Sequence, residues 1–207
     1  MQCSCGTIFG ILPTVFDGAS VSIVDAAAIT TVAPLFYVSP TEVDFQIPST
    51  VATGLAKVIV TNNGSTQTAA NLLISPIAPA LFTLNSSSLA NACALRVSSN
   101  GSQTQEPVYS QSSSGVVSAS PINMGSATDK VYLTLYGTGF DSATAANVTV
   151  TVNGANTPVL YAGPGGDSPG LDQVNVQLPA SLAGKGNVNV QLTAGGVSAN
   201  QVQVTIQ

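Results

Sequence analysis

The sequence predicts an all-β chain: two tandem β-sandwiches joined by a β-meander. Three observations carry this. Short segments alternate apolar and polar residues with period two, clusters of Gly, Asn, Pro and Ser bound them, and one phrase returns at a distance. The phrase is "APLFYVSPTEVDFQIP" at 33–48, which comes back as "TPVLYAGPGGDSPGLDQVNVQLP" at 157–179. A chain of 207 residues is long enough for two small domains with real cores.

The strands follow in order. "SVSIVD", "EVDFQIP", "AKVIVTN" and "NLLIS" fill the first half; "KVYLTLYG", "NVTVTVNG", "DQVNVQLP", "GNVNVQLT" and "NQVQVTIQ" fill the second. In the second set one parity is β-branched and the other Asn, Gln or Thr, so one face is core and the other is wet or meets a neighbour. Turns are marked at "NNGS" (62–65), "SNGS" (99–102), "VNGA" (152–155) and "AGG" (194–196), where Gly or Asn supplies positive φ. No ten-residue apolar helical stripe occurs, and the candidates for a helical turn are "SSLANA" and "PASLAG". "TIFG" at 7–10 leads the first copy as "TLYG" at 134–137 leads the second. The organisation read from this is an N-terminal extension at 1–6, a first sandwich at 7–76, a connector and ordered meander at 77–127, and a second sandwich at 128–207.

Composition excludes several functions. Apolar residues make up 44% of the chain and charged residues 6%, against about 25% in a typical globular domain. Four basic residues face nine acidic ones and the pI is about 4.1, which argues against nucleic acid and anionic membrane as partners. No apolar run reaches the ~18–20 residues of a membrane helix, and "MQCSCGTIFG" has no signal-peptide pattern. The chain has no histidine, so Ser-His-Asp and Cys-His chemistry are ruled out, and none of Lys57, Arg96, Lys130 and Lys185 stands in a Ser-x-x-Lys pattern. The nearest carboxylate pairs are Glu42 with Asp44, about 6–7 Å apart on one strand face, and Asp167 with Asp172 in a glycine-rich loop. A glycosidase pair or a calcium loop is the functional reading; a charged strand edge and a solvated turn are the preferred ones. No catalytic residue, metal site or cofactor is expected, and no small-molecule ligand.

Three cysteines, Cys3, Cys5 and Cys93, form no C-x-x-C spacing. Cys3 and Cys5 are too close for an unstrained bridge to each other, so the expected pairing is one of them with Cys93. The alternative is three unpaired small buried side chains.

The phrases "APLFYVSPTEVDFQIP", "APALFTLN", "ALRVSSNGSQTQEPVY", "KVYLTLYGTGF", "TPVLYAGP" and "GLDQVNVQLPASLAGKGNVNVQLTAGG" resemble the uncharacterised C-terminal domain family abundant in secreted acidobacterial proteins. The resemblance runs over nearly the whole chain after Thr7. It implies tandem Ig-like or TIG-like sandwiches in an extracellular or cell-surface protein, and no assigned catalytic residue. Family members often carry a cysteine pair where this chain has "SQSSSG", and a longer leading strand before "LPT".

Two functional classes follow. The first is a structural extracellular protein that assembles with copies of itself into an oligomer or filament; strands faced with Thr, Asn, Gln and Val are poorly protected against edge pairing. Its assembly strand would be the apolar N-terminal segment with Thr7, Ile8, Phe9, Ile11 and Leu12, added to a neighbour's sheet. The second is a binding or adhesion module for polysaccharide or protein, part of a larger secreted protein. The absence of Trp weighs against a sugar platform.

Overall fold

The computed structural model describes residues 11–84, 88–166 and 168–207. They form two compact units, one ending at Pro76 and one spanning Ile77–Gln207. Both are built of strands. The one helical element among the described residues is a 3-10 turn at Ala180–Leu182, inside "PASLAG". The segment "SSLANA" is not helical where described: the Ala90 N–H donates to the Gln203 carbonyl, and Leu89 and Ala90 make bridges instead.

The N-terminal unit contains β1 (Ala19–Val24), β2 (Thr30–Val32), β3 (Leu35–Val38), β4 (Val43–Phe45), β5 (Gly54–Asn62) and β6 (Ser65–Ile74). Its main sheet runs β2-β1-β5-β6, and β3 pairs β4 in a separate two-stranded sheet. Val21, Ile23, Ala33, Leu35, Val51, Ala56 and Ile74 are buried between them, with Val38, Val43, Phe45, Val58 and Val60 packed against this cluster.

The C-terminal unit contains β7 (Ala80–Leu81), β8 (Ala92–Val97), β9 (Gln103–Glu106), β10 (Tyr109–Gln111), β11 (Val117–Ala119), β12 (Pro121–Ile122) and β13 (Lys130–Thr138). It continues with β14 (Val148–Val152), β15 (Ala155–Thr157), β16 (Val159–Pro164), β17 (Asp172–Leu178), β18 (Gly186–Ala194), β19 (Val197–Ser198) and β20 (Val202–Ile206). One sheet runs β12-β20-β18-β14-β15 and the other β16-β17-β13-β8-β9. Between them lies a core in which Phe140, Ile122, Leu133, Leu135, Leu192 and Ile206 are fully buried.

The stretch 77–127, read from sequence as connector and meander, is not a layer of its own. β8 pairs β13 from Lys130↔Val97 to Leu135↔Ala92, β7 pairs the far end of β13, and β12 lies parallel to β20. Among the described residues of this stretch, only β10 and β11 form a separate hairpin. The reason is burial: Ala90, Ala92, Ala94, Val108, Ile122 and Met124 are apolar at alternate positions and enter the C-terminal core. Arg96 fastens the arrangement. Its Nε donates to Glu106 Oε1 at 2.8 Å and its Nη1 to Asp129 Oδ2 at 3.0 Å, so one guanidinium ties β8, β9 and the approach to β13.

The sequence repeat is a structural repeat in its strand pairing and register. β3 meets β4 as β16 meets β17: Tyr37↔Asp44 and Val38↔Val43 correspond to Tyr161↔Asn175 and Ala162↔Val174. Both pairs slip by one residue just before the tyrosine, which leaves Phe36 and Leu160 as the extra residue of a β-bulge. Gln46 N–H donates to the Pro34 carbonyl and Gln177 N–H to the Pro158 carbonyl. The prolines after "QI" and "QL" then turn the chain identically, with Val51 N–H donating to Pro48 and Leu182 N–H to Pro179. β1 pairs β5 through Val21↔Val60 and Ile23↔Val58, as β14 pairs β18 through Val150↔Leu192 and Val152↔Val190. The hairpin turns Asn63-Gly64 and Asn153-Gly154 both hold two successive residues at positive φ, which the Asn-Gly sequence permits at low cost.

Candidate functional site

No catalytic constellation forms among the described residues. Glu42 and Asp44 are exposed at β4, where Asp44 faces Tyr37 across the pair, and no cation bonds to either. Asp172 is buried, and its Oδ2 accepts the Phe140 N–H at 2.7 Å. It is therefore an anchor for the β13–β14 loop and is turned away from the calcium role considered for it; Asp167 lies outside the described residues. Burial pushes the Asp172 carboxyl up to about 6, the nearby Asp141 carboxylate adds to this, and backbone N–H groups of Phe140, Asp141 and Gly139 oppose it. Asp25 is the opposite case. Its carboxylate accepts N–H bonds from Ala52, Ile29 and Ala27, at 2.9, 3.0 and 2.9 Å, and they hold it below the usual carboxylate range. No group of three or more His, Cys, Asp or Glu side chains that could hold a metal occurs among the described residues. Lys57, Lys130 and Lys185 are exposed, and Arg96 is committed to its two carboxylates.

Among the expected cysteines, Cys93 lies half-buried on β8 with its Sγ 3.8 Å from the Tyr136 hydroxyl; Cys3 and Cys5 lie outside the described residues. Of the expected assembly strand, Thr7, Ile8 and Phe9 also lie outside them. Ile11 and Leu12 are described and are not in a strand. Ile11 is fully exposed at 102% and Leu12 is half-buried.

What stands out is a surface that sequence alone did not single out. In the C-terminal unit β17 has β13 on its second edge, and the inward residues of β20, Val202, Val204 and Ile206, are buried beneath that sheet. The corresponding positions on β6 are Ala70, Leu72 and Ile74, because Val58↔Ala70, Ala56↔Leu72 and Gly54↔Ile74 match Val190↔Val202, Val188↔Val204 and Gly186↔Ile206. Only Ile74 is buried; Ala70 is exposed and Leu72 is 38% exposed. The cause is the missing cover: among the described residues the upper sheet of the N-terminal unit stops at β4. The opposite face differs too. Asn187 and Thr205 are hydrogen-bonded at 2.6 Å across β18 and β20, and their counterparts are Leu55 and Leu73, exposed at 64% and 71%. Strand β6 is thus apolar toward water on both faces. The signal was present in "LLI" at 72–74, three consecutive apolar residues where "NQVQVTI" alternates, but without the covering partner its meaning was not legible.

With this architecture in view, the comparisons with known proteins add one assignment. Residues 114–206 match the IPT/TIG domain family, an Ig-like module. The match spans β11 to β20 and ends at the last strand, so the C-terminal unit carries a TIG-type β-sandwich to which β7–β10 are added. The chain matches none of the curated proteins with which it was compared. No helix among the described residues is long and apolar enough to cross a membrane.

Proposed function

We propose that this chain is a non-catalytic extracellular structural protein that self-assembles at a cell surface or in a filament through β-strand addition. One observation supports the reading: the same sandwich occurs twice, and among the described residues the C-terminal copy has covering strands that the N-terminal copy lacks. An open strand edge beside exposed apolar side chains favours pairing with another chain. The TIG module supports a non-catalytic role, since Ig-like units of this kind serve adhesion and binding, and the resemblance to C-terminal domains of secreted proteins supports the extracellular placement. That same module favours a second reading, an adhesion or binding unit for a protein or polysaccharide within a larger secreted protein.

The experiment is size-exclusion chromatography with light scattering on the full chain and on a chain lacking residues 1–12. Assemblies that vanish on deletion while the β-type circular dichroism spectrum persists are the expected result. A full-length chain that stays a monodisperse monomer at high concentration overturns self-assembly and leaves the adhesion reading.

A further inference from the structure

We infer that the open edge of β4, together with the uncovered face of β5 and β6, is the acceptor in that assembly, and that its occupant is the segment Thr7–Leu12 of a second copy of this chain. The inference rests on the self-assembly reading and adds the site and the donor.

The acceptor follows from hydrogen-bond geometry. Gln46 N–H points at β3, where it donates to the Pro34 carbonyl at 2.9 Å. Along a strand, alternate residues turn their peptide groups to the same side, so those of Phe45 and Ile47 point away from β3. In the C-terminal unit the matching residues, Val176 and Leu178, pair with Leu133 and Val131 of β13. On β4 no strand takes them among the described residues. Strand β13 also shows what chemistry fills such a slot: Val131, Leu133 and Leu135 point into the core at every second position and are 1%, 0% and 1% exposed. The exposed Ala70 and Leu72 line the corresponding space in the N-terminal unit.

The donor is identified by what the chain's own lead does. Leu35 N–H donates to the Pro13 carbonyl at 2.8 Å. Within a trans peptide the C=O and N–H point to opposite sides. The Pro34 carbonyl faces β4, so Leu35 N–H faces away from it, and Pro13 passes on the far side of β3. The lead therefore reaches its own unit on the side opposite the open edge, and Ile11, just before it, packs against nothing. The segment "TIFGIL" carries Phe9 and Ile11 on one parity, the alternation that β13 uses. A strand supplied from one copy to the next is a heterologous contact, which extends head to tail unless the rotation closes.

The test uses full-length chains. Phe9→Asp with Ile11→Asp makes a donor-defective chain, and Ile47→Pro an acceptor-defective one, since proline lacks the outward N–H while the β3 bonds need none from that residue. Ala70→Asp is a second acceptor variant that leaves the backbone untouched. Each variant alone is expected to be monomeric by light scattering, and the donor-defective chain mixed with an acceptor-defective one is expected to give a 1:1 dimer and nothing larger, because each retains one working half. A labelled peptide of residues 6–14, "GTIFGILPT", is expected to bind the donor-defective chain, and at least about tenfold more weakly once Ile47→Pro or Ala70→Asp is added. Assemblies that survive both acceptor variants overturn this site while self-assembly stands. A monomeric wild-type chain that still takes the peptide keeps the acceptor edge and overturns self-assembly. No binding of the peptide and no mixed dimer overturns the inference.

Discussion

The two units are one design executed to different degrees. Phe140 and Phe16 make the contrast plain. Each stands in a "FD" pair ahead of the corresponding strands β1 and β14; Phe140 is 0% exposed, whereas Phe16 is 45% exposed. The residue type and the position in the repeat agree, and the environment does not. In the C-terminal unit β13, β8 and β9 widen the sheet that covers the β20-β18-β14 sheet; among the described residues of the N-terminal unit two short strands, β3 and β4, form the covering sheet, and Ala70 and Leu72 on β6 stay exposed. A sandwich layer buries side chains only where another layer faces them. The difference teaches that the repeat sets strand order, register and turns, and that the number of covering strands sets how much of the encoded core becomes a core.

The largest expected effect is at the two phenylalanines. Phe140→Ala should cost about 3–5 kcal/mol by urea unfolding followed through tyrosine fluorescence, since it empties a fully buried site. Phe16→Ala should cost only about 1 kcal/mol, because roughly half of its side chain is covered. Similar values for both would break the comparison.

A disulfide between Cys93 and Cys3 or Cys5 is expected to add about 2–4 kcal/mol by closing a long loop. Non-reducing peptide mapping reads it directly, and finding all three cysteines alkylated before reduction would refute it. Because the closed loop contains the N-terminal unit and ends at Cys93 on β8, reduction should lower the stability of the N-terminal unit as well as loosen β8.

Smaller effects are expected at glycines. Gly139 has φ +80, and a Cβ there would collide with the Ala78 carbonyl; at Gly64, φ +78, nothing lies within 4 Å. Alanine at either position pays about 1–2 kcal/mol for the left-handed backbone. Gly139→Ala should cost measurably more, because backbone must also move. Equal costs would show that the β13–β14 loop yields easily.

The smallest effect separates the units by pH. Asp25 is held below its ordinary value, so its contribution is present above about pH 4 and is lost as pH falls through its lowered folded value. Asp172 is raised to about 6, so the folded state binds its proton more tightly than the unfolded state does. Its share of stability is therefore greatest at low pH and declines as pH rises from about 4 to about 6. Asp172→Asn keeps an acceptor for Phe140 N–H and should flatten the melting temperature of the C-terminal unit across that window. An unchanged slope would remove Asp172 as its source.

Much of this was legible in the chain itself, and the reason is range. Alternation in "VTVTV" and "VQVTI", the Asn-Gly turns, the prolines after "QI" and "QL" and the doubled phrase are all local signals, and each settles a few residues of backbone at a time. They determined the all-β class, the strand sequence and the equivalence of the two copies. Which strands lie beside one another is settled by residues far apart in sequence. The tertiary structure alone decided that β8 belongs beside β13 and is no connector, that Asp172 anchors a loop instead of waiting for a cation, and that Leu72 remains uncovered while Val204 is buried. Period two says that a side chain faces one way; only the opposing layer says whether it meets protein or water.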